Sequence, residues 1–159
     1  MRTLIIYYSK YGFTKECAEY LKNNIKGEVK LANIVDGDDF ELSYYDNIII
    51  GSAIYVGMVN SKIKDFCNKN LEHLINTKTS VFICSGFDEN FDTYMSQNFD
   101  ENLLKNLFFK KHFGGELRVN DMSFIDKMIT KMVSKSSKDD KKPVILKNNL
   151  DEFVSYINK

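Results

Sequence analysis

The sequence predicts an α/β fold in which helices cover both faces of a parallel β-sheet. Short apolar runs rich in β-branched residues alternate with longer stretches that carry apolar residues at helical spacing. The runs 47–52 and 79–84 are apolar almost throughout, as expected for strands that are buried on both faces. With 159 residues the chain fits a single domain, and we expect residues 1–159 to form one.

Each strand is predicted on one of the apolar runs, in the order 3–7, 28–34, 47–52, 79–84 and a last strand within 108–119. The second run alternates polar and apolar residues, which is typical of a half-exposed edge strand. In the last run, the paired Gly114 and Gly115 predict close approach of another backbone. Apolar residues at helical spacing predict helices from Lys15 and over 63–71, 95–107, 122–133 and 150–157.

Alternation of this kind predicts an open, doubly wound sheet. Such sheets bind ligands beyond the carboxyl ends of their strands, at the point where the strand order reverses. With the order 2-1-3-4-5, the first and third strands are neighbours at that point. The loops 9–14, 52–57 and 85–90 all follow strands, so they would converge on one crevice.

The loop Tyr8-Ser9-Lys10-Tyr11-Gly12-Phe13-Thr14 carries the residue types that a phosphate site needs. Ser9 and Thr14 can donate hydroxyl hydrogen bonds, and Gly12 lets the backbone come close to a ligand. Backbone N–H groups at a helix start lack intrahelical partners and attract anions. The alternative is a plain strand-to-helix turn in which Thr14 is the helix N-cap. A nucleotide P-loop and the dinucleotide fingerprint are both disfavoured, because neither glycine pattern occurs.

Composition excludes several classes of function. The 22 Lys and Arg balance the 22 Asp and Glu, whereas nucleic-acid-binding proteins usually carry a basic stripe, so no nucleic-acid partner is predicted. No apolar run has the length of a membrane span, and the N-terminus does not resemble an export signal, which predicts a cytoplasmic protein.

The cysteines and histidines predict neither disulfides nor a metal site. Cys17, Cys67 and Cys84 are odd in number and lack C-x-x-C spacing, so we expect three buried thiols. His73 and His112 lie far apart in sequence without a neighbouring ligand at metal-binding spacing, so structural or surface roles are expected for both.

The apolar run 3–7 and the loop 9–14 resemble the flavodoxin family. In that family an apolar strand leads into a hydroxyl-rich phosphate loop similar to Ser9-x-Tyr11-Gly12-x-Thr14. Within it, the chain is most similar to the branch that contains menaquinone-dependent protoporphyrinogen oxidases. The segments that carry this likeness are 9–14, 50–57, 114–118 and 123–132. The resemblance implies a flavodoxin-like three-layer sandwich with a five-stranded parallel sheet, and FMN bound without a covalent link.

The resemblance also implies which residues surround FMN. Its phosphate would lie among the residues of the first loop: Ser9, Lys10, Tyr11, Gly12, Phe13 and Thr14. One side of the isoalloxazine would be bordered by the second loop: Ser52, Ala53, Ile54, Tyr55, Val56 and Gly57. The other side would be bordered by the third loop: Ser85, Gly86, Phe87 and Asp88. Tyr55 and Phe87 are the candidates for stacking, with a solvent-exposed or core position as the alternative for each. No catalytic residue is predicted, since the ring itself accepts and releases the electrons.

The implied function is that of an FMN oxidoreductase or electron carrier that serves a redox partner protein or a quinone. A narrower prediction is an enzyme similar to protoporphyrinogen oxidase. The neutral net charge of the chain differs from the acidic surface of shuttle flavodoxins. The segment after the fourth strand is shorter than in the oxidase branch.

The helix 122–133 carries Met and Ile on one face. This pattern predicts a core position or, through 122–135, contact with a membrane surface or an acidic partner.

A flavin-free module with the same sheet, serving regulation or protein interaction, is the alternative function. A response-regulator receiver would need an acidic cluster after the first strand and an aspartate after the third. Tyr7-Tyr8-Ser9 and Gly51-Ser52 stand at those positions, which disfavours a receiver.

Overall fold

The computed structural model describes residues 1–37, 39–86, 89–115 and 146–159. The predictions made for Phe87, for Asp88 and for the segment 122–135 lie outside these residues. The described residues contain a five-stranded sheet built from β1 (Arg2–Tyr8), β2 (Glu28–Asn33), β3 (Asn47–Ala53), β4 (Lys78–Cys84) and β5 (Phe109–His112).

The strands follow the order β2-β1-β3-β4-β5, and every neighbouring pair is parallel. This confirms the predicted topology. Tyr8 pairs with Ser52, and Ala53 pairs with Cys84, so β1, β3 and β4 end close to one another. The loops that follow these strands therefore start side by side at the carboxyl edge of the sheet.

The helices of the described residues are α1 (Phe13–Asn24), α2 (Ser61–Lys69), α3 (Leu71–Ile75), α4 (Phe91–Asn98), α5 (Glu101–Asn106) and α6 (Lys147–Ile157). Each of the predicted helices 63–71 and 95–107 is divided in two. Asn70 ends α2, and its backbone N–H still bonds to Phe66 O at 3.1 Å. Asp100 starts α5 as its N-cap, because its Oδ1 accepts the N–H of Asn102 at 2.7 Å.

Two apolar layers hold the helices against the sheet. Consecutive residues of a strand point to opposite faces, so Ile5 and Phe82 pack with α1 and α6, whereas Leu4 and Ile6 pack with α2 to α5. β3 is buried at every position except its last, as predicted for a central strand. The result is the predicted three-layer sandwich. No helix in the ranges given above is long and apolar enough to cross a membrane.

The last strand is shorter than predicted. β5 ends at His112, and the chain then turns through Gly114, whose φ of 79° favours glycine. Residues 116–119 of the predicted strand lie outside the described residues. The prediction of close backbone approach holds, because a Cβ atom on Gly115 would lie 2.7 Å from the carbonyl carbon of Ser85.

Candidate functional site

Three loops meet at the carboxyl edge of the sheet. The Lys10 Nζ atom lies 4.5 Å from the ring centroid of Tyr55, which joins the first loop to the second. The N–H of Ile54 donates to the carbonyl oxygen of Cys84 at 2.8 Å, which joins the second loop to the end of β4. The buried side chain of Thr14, at the start of α1, lies beside the Cys84 thiol. Residues from 9–14, 52–57 and 85–86 therefore surround one region of the molecule.

The first loop leaves the start of α1 open to an anion. Gly12 is the N-cap of α1, with a φ of 92°, and no side chain caps this helix. The first intrahelical bond runs from Glu16 N to Gly12 O at 3.0 Å, so the N–H groups of 13–15 have no acceptor within the helix. Ser9 Oγ accepts the N–H of Gly12 at 3.1 Å, which leaves the Ser9 hydroxyl hydrogen able to donate.

The structure places Thr14 in the first turn of α1. It is not the N-cap, because α1 already includes Phe13, and the predicted start at Lys15 is two residues late. Its side chain is only 1% exposed and lies beside the Cys84 thiol beneath the loop. Burial raises the pKa of the Cys84 thiol, and contact with Cys17 raises it further, so this thiol stays protonated. The Thr14 side chain therefore packs between α1 and β4.

Tyr11 contributes a buried hydroxyl to the first loop. Its Oη atom has no hydrogen-bond partner within the part of the chain that the structure describes. Burying a hydroxyl without a partner costs about 1–3 kcal/mol, which a ligand oxygen at this position would offset. This atom lies in the same loop as the open start of α1.

The second loop contains a tight turn between Tyr55 and Met58. The N–H of each residue donates to the carbonyl of the other, at 2.9 and 3.0 Å. The two residues between them have positive φ, 50° at Val56 and 78° at Gly57, as in type I′ turns. A β-branched residue at positive φ is an outlier, and the Val56 side chain is 63% exposed at the tip of the turn.

Asn98 holds this turn in place, although sequence reasoning did not identify it. Its side chain is 1% exposed, donates to Gly57 O at 2.9 Å and accepts the N–H of Val59 at 3.0 Å. Ser52 supports the same loop, because its buried hydroxyl donates to Ala53 O at 3.1 Å. The signal for Asn98 in the sequence is weak: an amide side chain three residues after Met95 in the apolar stripe of α4.

The described part of the third loop is fixed by the end of β5 and by the residues that follow it. Ser85 N donates to Gly114 O at 2.9 Å. The buried His112 places its Nε2 atom 2.9 Å from Ser85 Oγ and 3.0 Å from Ser85 O. His112, expected from the sequence to be structural or exposed, therefore supports the loop predicted to border the isoalloxazine.

The three cysteines are buried, as predicted. Burial raises the pKa of the Cys67 thiol to about 12, so it remains a neutral core side chain at physiological pH. The described residues contain no group of three or more His, Cys, Asp or Glu side chains that could hold a metal ion.

A family model described as "Flavodoxin domain" matches residues 4–143. The chain belongs to the flavodoxin domain family. Among curated relatives, this flavodoxin domain is 31% identical over 85 residues to Protoporphyrinogen IX dehydrogenase (quinone) of Escherichia coli strain K12. The match covers 52% of this chain and 46% of the relative, so the chain spans about half the length of the relative that it matches.

Solved structures show the same fold. A flavoprotein in complex with FMN from Lactobacillus acidophilus NCFM is 22% identical, with a TM-score of 0.54 over 70% of this chain and 92% of that one. An NADH:FMN oxidoreductase in its apo form is 12% identical, with a TM-score of 0.54 over 90% of this chain and 94% of that one. These likenesses, together with the family match, confirm the predicted flavodoxin resemblance and its fold.

Proposed function

We propose that this flavodoxin domain binds FMN non-covalently at the carboxyl edge of its sheet and exchanges electrons with a redox partner. The observation that carries the proposal is the uncapped start of α1, which lies beside the loops that follow β3 and β4. Membership of the flavodoxin domain family supports FMN as the cofactor. It also supports electron transfer as the function.

The first loop fits a phosphate. Phosphate oxygens need several donors, which the N–H groups of 13–15 and the Ser9 hydroxyl can supply. Gly12 allows the backbone to approach a ligand without interference from a Cβ atom. The buried Tyr11 hydroxyl, which has no partner among the residues that the structure describes, adds a further group that a ligand would satisfy. In this proposal Thr14 contributes its backbone N–H, because its side chain is buried beneath the loop beside Cys84.

The second and third loops fit an aromatic ring with polar edges. Tyr55 is half-buried at the rim and offers a ring face on which the isoalloxazine could stack. The N–H of Ile54 already donates to Cys84 O, so it is not available to the isoalloxazine. Any hydrogen bond from loop 52–57 to the ring therefore comes from other groups of that loop. Ser85 and Gly86 are assigned to the pyrimidine edge of the ring, and the roles of Phe87 and Asp88 remain predictions.

When bound, FMN would supply the one- or two-electron redox chemistry. The residues of this chain bind the phosphate, orient the ring and shield one of its sides from water. None is required as a nucleophile or general base. The partner receives electrons at whichever ring edge stays exposed.

Absorbance of the purified protein tests the cofactor proposal. We expect a yellow protein whose flavin bands disappear on acid release of FMN and return on reconstitution. Repeated failure to bind added FMN would overturn the proposal. It would also favour the alternative, a flavin-free regulatory or interaction module.

A narrower candidate is an enzyme that passes electrons from a protoporphyrinogen-like substrate to a quinone. It is supported by the 31% identity to the Escherichia coli dehydrogenase, which covers 46% of that relative. The reconstituted protein should be assayed with protoporphyrinogen and a quinone, and in parallel with a flavodoxin reductase. Turnover only in the first assay supports the enzyme, and turnover only in the second supports a carrier.

A further inference from the structure

We infer that Lys10 places its positive charge beside the flavin ring and thereby favours reduced over oxidised FMN. This inference rests on the proposed function, because it concerns the same site. It assigns Lys10 a different role from the phosphate contact that the family resemblance implies.

The position of the Lys10 side chain is the first step. Residue 10 belongs to the loop proposed for the phosphate, yet its ammonium group lies 4.5 Å from the ring centroid of Tyr55 in the second loop. The same atom lies 5.3 Å from the ring centroid of Tyr11. Both distances are within the roughly 6 Å reach of cation–π attraction. The side chain therefore extends from the phosphate loop toward the part of the site proposed for the isoalloxazine.

The chemistry of the flavin gives the consequence of this position. The oxidised isoalloxazine is neutral, whereas the reduced ring becomes an anion once its N1 proton is lost. A fixed cation near the ring therefore attracts the reduced form and leaves the affinity for the oxidised form nearly unchanged. Because Lys10 is exposed, solvent screens part of this attraction, and we expect an effect of about tenfold rather than one of many orders of magnitude.

A second lysine of α1 serves as the control for Lys10. Lys22 lies in the last turn of α1, at the opposite end of the helix from its open start, and is exposed. Removing its charge changes the net charge of the protein by the same amount as removing that of Lys10. Lys22 contacts neither Tyr11 nor Tyr55 in any ring interaction found among the described residues.

The experiment measures the affinities of oxidised and reduced FMN above neutral pH for the wild type and the variants Lys10→Met, Lys10→Arg and Lys22→Met. Spectroelectrochemical titration gives the midpoint potential of the bound flavin, and thermal unfolding checks that each variant is folded. Lys10→Met should lower the affinity for reduced FMN about tenfold more than that for oxidised FMN. For a two-electron couple this corresponds to a potential about 30 mV lower. Lys10→Arg should keep the wild-type potential because it keeps the charge, and Lys22→Met should leave the potential unchanged.

Two results would overturn the inference while leaving the proposed function intact. In the first, Lys10→Met weakens both redox forms of FMN equally and leaves riboflavin binding unchanged, which would assign Lys10 to the phosphate. In the second, Lys10→Met and Lys22→Met give the same potential. A wild-type protein that binds no FMN in either redox form would instead overturn the proposed function itself, and this inference with it.

Discussion

The buried side chain of Asn98 in α4 donates a hydrogen bond of 2.9 Å to the carbonyl oxygen of Gly57, at the turn that follows β3. Its other amide atom, Oδ1, accepts the N–H of Val59 at 3.0 Å. One side chain thus satisfies two backbone groups on either side of Met58. The turn that carries Tyr55 is held to the sandwich by a residue that lies 41 positions away from Gly57 in sequence.

Replacing Asn98 by Ala should destabilise the protein by about 2–3 kcal/mol, because it leaves two backbone groups without partners in a buried place. FMN affinity should fall as well, since the turn loses its support. Urea unfolding and an FMN titration measure the two effects. Asn106→Ala is the matched control, because Asn106 forms an exposed bond to Asn102 O and should cost below about 0.5 kcal/mol. Equal costs for the two variants would contradict this role of Asn98.

Replacing Val56 by Asn should stabilise the protein by about 1 kcal/mol. Val56 has a φ of 50°, a conformation that is unfavourable for β-branched residues, and Asn followed by Gly is the preferred pair in type I′ turns. Thermal or urea unfolding measures the change. Val35→Asn serves as control, because Val35 is also exposed but has no positive φ, so no gain is expected there. An unchanged or lowered stability in Val56→Asn would show that the turn carries no strain.

Replacing Gly115 by Ala should displace the third loop. The added Cβ atom would lie 2.7 to 2.9 Å from backbone atoms of Ser85 and Gly86, which cannot rotate away as a side chain can. We expect a loss of about 1–3 kcal/mol in stability and a measurable loss of FMN affinity.

The control for Gly115 is Gly37→Ala. Gly37 has a φ of 76° and no atoms within 4 Å of an added Cβ, so that variant should lose stability through backbone strain alone. Its FMN affinity should match that of the wild type. If Gly115→Ala binds FMN as tightly as Gly37→Ala does, the third loop does not need the close backbone contact.

Stability should decrease in alkaline solution through the Cys67 thiol. Burial raises its pKa from 9.0 to about 12, so between these values the thiol ionises in the unfolded chain but stays protonated in the folded one. The unfolded state then binds fewer protons, and the free energy of unfolding falls by up to about 1.4 kcal/mol per pH unit. Below pH 9 this group should have no effect. Denaturant unfolding of Cys67→Ala should show a shallower decrease with pH than the wild type, and an identical slope would contradict the raised pKa.

The sheet could be predicted from the sequence because the pattern that marks each strand lies within the residues of that strand. The runs at β3 and β4 are apolar and β-branched, and their burial on both faces follows from that pattern. Gly114 and Gly115 also carried a local signal for close backbone approach, which the contact with Ser85 bears out. The convergence of loops followed from topology, since parallel strands end at the same edge.

Other features could not be predicted, because they depend on contacts that are distant in sequence. His112 reaches Ser85, 27 residues earlier, and no spacing rule marks such a pair. The start of α1 was misplaced because Gly12 caps the helix through its left-handed backbone, whereas sequence rules favour a hydroxyl such as that of Thr14. The Thr14 side chain is instead buried beside Cys84, which becomes its neighbour only on folding.

The central claim is that the open start of α1 forms a phosphate site beside the loops that follow β3 and β4. Fluorescence titration of the apoprotein with FMN and with riboflavin tests this claim. The two ligands share the isoalloxazine and differ only in the phosphate. We expect saturable binding of one FMN per chain, with an affinity at least about tenfold above that of riboflavin because charge-assisted hydrogen bonds to the phosphate are lost in riboflavin. Equal affinities for the two ligands, or no binding of FMN, would contradict the claim.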